Sequence, residues 1–201
     1  IAFTAPAKAD SMTVSDSSEL TDAIGSVDEV IIDSNIELQS AVELTDETIQ
    51  AQEGTNPILS LSTSGDIEVT GSSGVVIEGL KIEGKSNSDV ITQDGGSGSL
   101  TIRDSEIVVD GTSGPTFAIK LEDHKLNLQN VTIRGAGSDI TKEAGVKLSA
   151  GNANLDESAI INSSFNGLQE AVNVDGANKV LINDSSFDGI ETEAVHIDAE
   201  S

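Results

Sequence analysis

Hydrophobic and polar residues alternate in short runs along most of the chain, and these runs recur at a regular interval. Five similar stretches end on an apolar residue at positions 82, 107, 133, 160 and 187, which are 25, 26, 27 and 27 residues apart. Within each stretch the alternation breaks at a Gly, Asp, Asn or Glu and then resumes. This pattern predicts two short strands joined by a tight turn, because Gly, Asn and Asp tolerate the left-handed backbone of such corners.

A shorter apolar pattern predicts a third strand later in each unit. Its members are Ala118–Leu121, Gly145–Leu148, Ala171–Val174 and Ala194–Ile197, with Asp89–Thr92 as a weaker example. The unit has no room for a helix, whereas stacked coils let each strand pair with its equivalents about 4.8 Å above and below. We therefore predict an all-β fold, a parallel β-helix with three short strands per coil. An antiparallel sandwich is the alternative, but sandwiches do not usually repeat one register at this interval.

The first part of the chain follows the pattern less regularly. Ser17 and Ser18 precede Glu19–Ile24, which predicts a short capped helix ending at Gly25. Strand-like alternation follows at Val30–Ile32, Ile36–Leu38, Thr48–Gln50, Ile58–Leu61 and Ile67–Val69. A solenoid needs a polar cap over its first coil, and the helix is well placed to provide it. We divide the chain into an extended N-terminal arm at 1–13 and a parallel β-helix with its cap at 14–201.

Three of these segments resemble a known family. The stretches at 18–24, 76–82 and 126–133 look like right-handed parallel β-helices of the pectate-lyase-like superfamily, and the resemblance covers roughly residues 14–200. It implies a right-handed coil. It does not choose a function, because the superfamily holds lyases, hydrolases, phage tailspikes and non-catalytic surface proteins.

Charge narrows the classes of partner. The 201 residues include 35 acidic and 10 basic side chains, a formal net charge of −25. This charge repels nucleic acid and anionic membrane surfaces, so we expect neither as a partner. The chain has no Cys, which excludes disulfides and thiol catalysis, and no apolar run long enough to span a membrane. No signal peptide is visible, and a start at Ile1 rather than Met indicates either that one was removed or that the start is a product of cloning. We expect a secreted or cell-surface protein, because a chain without Cys and with one Met resists oxidation.

The outward face of the third strand is where the resemblance implies that family enzymes act. If Ile119 and Leu121 point inward, one outward column reads Lys120, Lys147, Asn173, His196, and a second reads Glu122, Ser149, Asp175, Asp198. Pectate-lyase-like enzymes need an acidic calcium cluster beside an Arg or Lys base, and polygalacturonase-like enzymes need close aspartates with a His. Neither set is present, and no Tyr or Trp offers a sugar platform, so we assign no catalytic residue and expect no enzyme.

Weaker candidate sites remain. Asp175 and Asp198 are candidate ligands for one calcium ion, since stacked carboxylates lie about 5 Å apart; solvated outer-face acids are the alternative. Asn162 and Asn183 match the glycosylation pattern. We expect His124 in a surface turn, and Phe165 and Phe187 in the core.

The two ends of the chain suggest assembly. Val195 and Ile197 belong to a final strand with no following cap, and an uncapped coil invites strand pairing. The apolar arm Ile1, Ala2, Phe3, Thr4, Ala5, Pro6 is a candidate to insert into the open end of another copy; an arm folded along its own solenoid is the alternative. The small column Ala118, Gly145, Ala171, Ala194 is a candidate flat face for a second chain.

These features lead to one expected function and two alternatives. We expect a non-catalytic subunit of an extracellular or cell-surface filament, a head-to-tail homopolymer without a cofactor other than a candidate calcium ion. One alternative is a polysaccharide-binding or polysaccharide-cleaving β-helix resembling pectate lyases, with surface glycans as partners. The other is a fragment of a larger adhesin or tailspike shaft.

Overall fold

The described residues form a parallel β-solenoid of about six turns, with three parallel sheets and one short α-helix. A computed structural model describes residues 9–71, 74–84, 88–93, 98–111, 116–137, 140–149, 157–176 and 179–198. Each coil contributes one strand to each sheet, and every strand pairing is parallel. The predicted fold class is therefore confirmed.

The strands follow one another around the three sheets in a fixed order. The first sheet contains β1 (Ala9–Val14), β2 (Val27–Ile32), β5 (Thr48–Ala51), β8 (Gly74–Glu78), β11 (Ser99–Arg103), β14 (Lys125–Gln129), β17 (Ser158–Ile161) and β20 (Val180–Asn183). The second contains β3 (Ile36–Leu38), β6 (Ile58–Leu61), β9 (Lys81–Glu83), β12 (Glu106–Val109), β15 (Thr132–Gly135), β18 (Ser164–Asn166) and β21 (Ser186–Asp188). The third contains β4 (Val42–Leu44), β7 (Ile67–Val69), β10 (Ile91–Gln93), β13 (Thr116–Glu122), β16 (Glu143–Ser149), β19 (Glu170–Asp175) and β22 (Glu193–Asp198).

The core is built from columns of aliphatic side chains that stack along the solenoid axis. In the first sheet, one buried column runs through Ile77, Ile102, Leu128 and Ile160, which are register partners. Phe165 is also fully buried, and its ring stacks on that of Phe187 with the centroids 5.2 Å apart. The prediction that Phe165 lies in the core is confirmed, while Phe187 is only partly buried.

One part of the predicted repeat alignment is wrong. Ile160 pairs with Leu128 at the end of the first strand, whereas the partner of Ile133 is Phe165. The equivalent positions are therefore 82, 107, 133, 165 and 187, with spacings of 25, 26, 32 and 22 residues. The longer interval falls at the connection between β16 and β17, so coil length varies in a connection while strand register is kept.

The break in each apolar run is a left-handed turn between the first and second sheets. Positive φ angles of 49–70° recur there at Gly79, Asp104, Asn130, Asn162 and Asp184. The amide Nδ2 of Asn130 donates to Asp104 Oδ1 at 2.6 Å, and Asn162 Nδ2 donates to Asn130 Oδ1 at 3.5 Å. The side chains thus form a ladder along the turn, which explains why Gly, Asp and Asn interrupt the pattern.

Serine hydroxyls stabilise the same turn one residue further on. Ser105 Oγ accepts a hydrogen bond from the backbone N–H of Leu80 at 3.2 Å, and Ser163 Oγ accepts one from that of Val131 at 3.2 Å. Both hydroxyls are buried, and each also donates to a backbone carbonyl two residues earlier. A buried N–H that no strand can reach is satisfied in this way.

A short helix, α1 (Ser17–Ala23), covers the first coil as predicted. Its N-cap is Asp16 rather than a serine, and the Asp16 carboxylate accepts from the N–H groups of Ser18 and Glu19 at 2.8 and 2.9 Å. Leu20 and Ala23, on the inner side of the helix, are fully buried.

A buried carboxylate ties the end of this helix to the coil below. Glu47 accepts from the N–H of Gly25 at 3.1 Å and from the N–H of Thr45 at 2.8 Å. Glu47 is fully buried, so these hydrogen bonds replace the water that its charge would otherwise require.

The predicted boundary between arm and solenoid lies too late in the chain. Residues 9–14 form β1, which pairs with β2 as the edge strand of the first sheet. Polar and exposed residues such as Asp10 and Ser11 hide this strand in the sequence, because an edge strand needs backbone pairing more than apolar alternation. Residues 1–8 lie outside the described part of the chain.

The small column is not an outer face, which corrects the prediction for Ala118, Gly145 and Ala171. All three are buried, and both alanines belong to the core. A Cβ on Gly145 would lie 2.2 Å from the carbonyl oxygen of Ala171 and 3.2 Å from a ring carbon of Phe165. Small residues are therefore required by crowding inside the solenoid. Ala194, in the last coil, is half-buried.

Substitution at this crowded corner should destabilise the fold. We expect Gly145→Ala to lower the free energy of unfolding by about 1–3 kcal/mol, because the new methyl group must displace the backbone. Gly74→Ala is the matched control, since its Cβ would meet only the hydroxyl of Ser99 at 3.1 Å. Denaturant unfolding monitored by circular dichroism measures both. Equal losses in the two variants would contradict the interpretation.

Candidate functional site

The outward face of the third sheet carries the two predicted columns in register. Lys120, Lys147, Asn173 and His196 are consecutive partners, and so are Glu122, Ser149, Asp175 and Asp198. The prediction that these side chains form columns is confirmed. Their neighbouring side chains determine which of them could bind the same ion.

The candidate calcium pair sits at the end of the second column. Asp175 is half-buried and Asp198 is exposed, and the two are register partners on β19 and β22. The ammonium Nζ of Lys147 lies 4.0 Å from Asp175 Oδ2. Ca²⁺ takes roughly six to eight oxygen ligands, whereas this pair supplies two carboxylates beside a positive charge. Calcium binding here remains a prediction.

A different group of possible metal ligands lies beside the first column. Glu170, Glu193 and His196 each offer one ligand atom, and these atoms lie within 4.8 Å of one another. His196 Nδ1 and Glu193 Oε2 form a hydrogen bond, and Glu170 Oε1 accepts from Asn173 Nδ2 at 3.0 Å. The three residues span two adjacent strands, since Glu170 is the register partner of Glu193.

Sequence reasoning found His196 but missed the two glutamates. Strict alternation puts residues three apart on opposite faces of a strand, which separates Glu193 from His196. In the structure, Ala171 and Val172 are both buried in the core, so the alternation shifts by one residue. The recurring small residue before the inward Val was the signal for this shift.

Neighbouring carboxylates change the protonation of the imidazole at this group. The hydrogen bond to Glu193, followed by the negative charges of Glu193, Glu170 and Asp198, raises the pKa of His196 above its ordinary value of 6.5. Just before β7, burial raises the pKa of Asp66, against a hydrogen bond from Thr92 that lowers it.

The other histidine is buried, which makes the prediction of a surface turn for His124 wrong. Only 2% of His124 is exposed; Nδ1 lies 3.2 Å from the carbonyl oxygen of Glu122 and Nε2 lies 3.3 Å from that of Gly71. Both ring nitrogens therefore lie within hydrogen-bonding distance of backbone carbonyl oxygens. The partner of Nε2 is 53 residues away, and short-range sequence patterns cannot reveal such a contact.

A groove of about 510 Å³ follows the left-handed turn between the first and second sheets. Two of its carboxylates are engaged by other side chains: Asp104 accepts from Asn130, and Glu106 pairs with Arg134 at 2.6 Å. The remaining arginine, Arg103, pairs with Glu78 at 2.7 Å in the first sheet. The two arginines therefore lie on different sheets, each with its own glutamate.

Both candidate glycosylation residues are exposed near this turn. Asn162 is part of the ladder through its hydrogen bond to Asn130, and Asn183 Nδ2 donates to Asp184 Oδ2 at 2.8 Å. A glycan on either residue would replace a hydrogen of the Nδ2 that makes these bonds. Glycosylation remains a prediction.

The predicted assembly residues other than the small column divide into two groups. Ile1, Ala2, Phe3, Thr4, Ala5 and Pro6 lie outside the described residues. Val195 and Ile197 lie on β22, where 39% and 67% of their surfaces are exposed, whereas their register partners Val172 and Val174 are buried. The large apolar side chains exposed in the described ranges are Met12, Ile161, Leu181, Val195 and Ile197, and all except Met12 belong to the last two coils.

Comparison with known proteins gives no relative for this chain. No protein-family model matches it. Neither the curated proteins nor the solved structures give a significant match. The class that the coordinates define is a parallel β-solenoid, and membership of the pectate-lyase-like superfamily remains a prediction. Among the described helices, none has the length and apolar character needed to cross a lipid bilayer.

The contact between His196 and Glu193 predicts a pH dependence with a definite sign. A raised native pKa means that the folded state holds the proton more tightly, so this stabilisation is complete below about pH 6.5. It is lost as the pH rises through the native pKa. We expect the NMR-measured pKa of His196 to lie above 6.5 and to fall in Glu193→Gln. An unchanged value in that variant would contradict the assignment.

Proposed function

We propose that the chain is a non-catalytic structural subunit of an extracellular or cell-surface filament. The observation that carries this proposal is the uncovered apolar end of the last coil. Val195 and Ile197 point into the solenoid, stacked on their register partners Val172 and Val174. They are nevertheless exposed, because no further strand lies beyond β22 in the described structure. Unpaired strands with exposed apolar side chains are the usual template for strand addition.

The opposite end of the solenoid is closed and acidic. Helix α1 covers the first coil, and its outer surface exposes Asp16, Glu19 and Asp22. This surface does not complement the apolar end of β20–β22. The occupant we propose is therefore the arm Ile1–Ala7 of another copy, whose sequence is mainly apolar. A contact between two different ends does not close on itself and generates a filament.

Charge sets the conditions for such an assembly. A net charge of −25 makes copies repel one another at long range, and salt screens this repulsion within about 10 Å at 0.1 M. The filament should therefore form more readily as the ionic strength rises.

The groove at the left-handed turn supports a structural role, since its carboxylates Asp104 and Glu106 already have side-chain partners.

A second candidate follows from the same uncovered coil. In a longer chain the next coil would cover Val195 and Ile197, so the solenoid would be part of an adhesin or tailspike shaft. The resemblance to pectate-lyase-like β-helices is compatible with both candidates, because that superfamily includes surface proteins and tailspikes.

Electron microscopy of negatively stained samples tests the filament. We expect filaments from the full chain at moderate salt, and their loss in a variant lacking residues 1–7 and in Ile197→Lys, which puts a charge into the open end. Ile161→Lys is the matched control, because Ile161 is a similarly apolar residue on the outward side of the first sheet, with 36% of its surface exposed. Circular dichroism confirms that each variant is folded. Monomers in every sample would contradict the filament and favour the longer shaft.

A further inference from the structure

Four polar side chains form a two-by-two group on the outward face of the last two coils. Glu170 and Asn173 come from β19, and Glu193 and His196 come from β22. Register places Glu170 beside Glu193 and Asn173 beside His196. Hydrogen bonds within each strand then join Asn173 to Glu170 and His196 to Glu193.

The backbone holds this group in place. Ala171 and Val172 are consecutive core residues, so Glu170 and Asn173 flank them on the same outward face. Ala194 and Val195 occupy the equivalent positions one coil later and place Glu193 beside His196 in the same way. The group is therefore carried by paired strands rather than by a loop, which fixes the spacing of its side chains.

The charges in the group are unbalanced. Two carboxylates on adjacent strands face one imidazole, and their hydrogen-bond partners are the Asn173 amide and the His196 ring. The nearby ammonium of Lys147 is directed to Asp175, at 4.0 Å. Like charges on directly opposed strands destabilise a sheet unless a cation offsets them.

We propose that Glu170, Glu193 and His196 bind one divalent transition-metal ion of the Zn²⁺ type. An imidazole nitrogen with carboxylate oxygens suits Zn²⁺ and its neighbours in the first transition row, whereas Ca²⁺ and Mg²⁺ prefer oxygen alone. The ion would take the place of the hydrogen bond between His196 and Glu193. Asn173 holds Glu170 in orientation, as the outer hydrogen-bond partners of metal ligands commonly do. This site does not depend on filament assembly.

Calorimetric titration with ZnCl₂ tests the site. The full chain is stripped of metal and titrated at neutral pH with excess MgCl₂, which occupies the dispersed surface acids. We expect one Zn²⁺ per chain, and a loss of affinity of about tenfold or more in Glu170→Gln and in His196→Asn. Asparagine is a conservative choice, because Asn173 already occupies the equivalent position one coil earlier.

A matched control separates this site from general attraction to an acidic surface. Asp184→Asn removes an exposed carboxylate from the connection between β20 and β21 in the same coil, outside the group, and should leave Zn²⁺ affinity unchanged. NMR adds a direct readout, because Zn²⁺ should shift the ring signals of His196 and leave those of buried His124 in place. Unchanged affinity in His196→Asn, or only weak binding that MgCl₂ displaces, would overturn the proposal.

Discussion

In-register pairing between coils is the constraint on which the rest of this structure depends. A strand in this solenoid finds its backbone partners in the coils before and after it, at equivalent positions. Each residue must therefore be compatible with the residues directly above and below it. This requirement produces the aliphatic columns of the core, the left-handed ladder through Asp104, Asn130 and Asn162, and the stacked rings of Phe165 and Phe187. Variation in length is confined to the connections, as between β16 and β17.

Strands β13 and β19 of the third sheet contain two consecutive buried residues, and this local break in alternation has two effects. Two consecutive buried residues, such as Ala171 and Val172, interrupt the alternation of the strand. The first of the two positions has little space, because a Cβ on Gly145 would lie 2.2 Å from the carbonyl oxygen of Ala171 in the next coil. The same shift in alternation changes which residues share the outward face. Glu193 and His196 become neighbours for this reason, although they are three residues apart on one strand.

Most of the fold could be predicted from the sequence, because strand alternation and left-handed turn residues are local signals that repeat. The predictions are wrong where the position of a residue depends on a contact with a part of the chain that is distant in the sequence. His124 reaches a carbonyl oxygen 53 residues away, and β1 is held by pairing although its exposed residues are polar. The predicted alignment is wrong at Ile160 because this apolar residue belongs to a strand of the first sheet, and each strand of the second sheet also carries an apolar residue. At the candidate site, the columns were predicted correctly, but strict alternation hid Glu170 and Glu193.

The closed first coil also has a consequence for how the molecule is made. Helix α1 and its buried anchor Glu47 precede the later coils in the chain, so the ribosome synthesises the capped first coil before the coils that stack on it. Each later segment of about 25 residues can then add to a finished edge instead of searching for distant partners. The solenoid would then fold in one direction, coil after coil, while the chain is being synthesised.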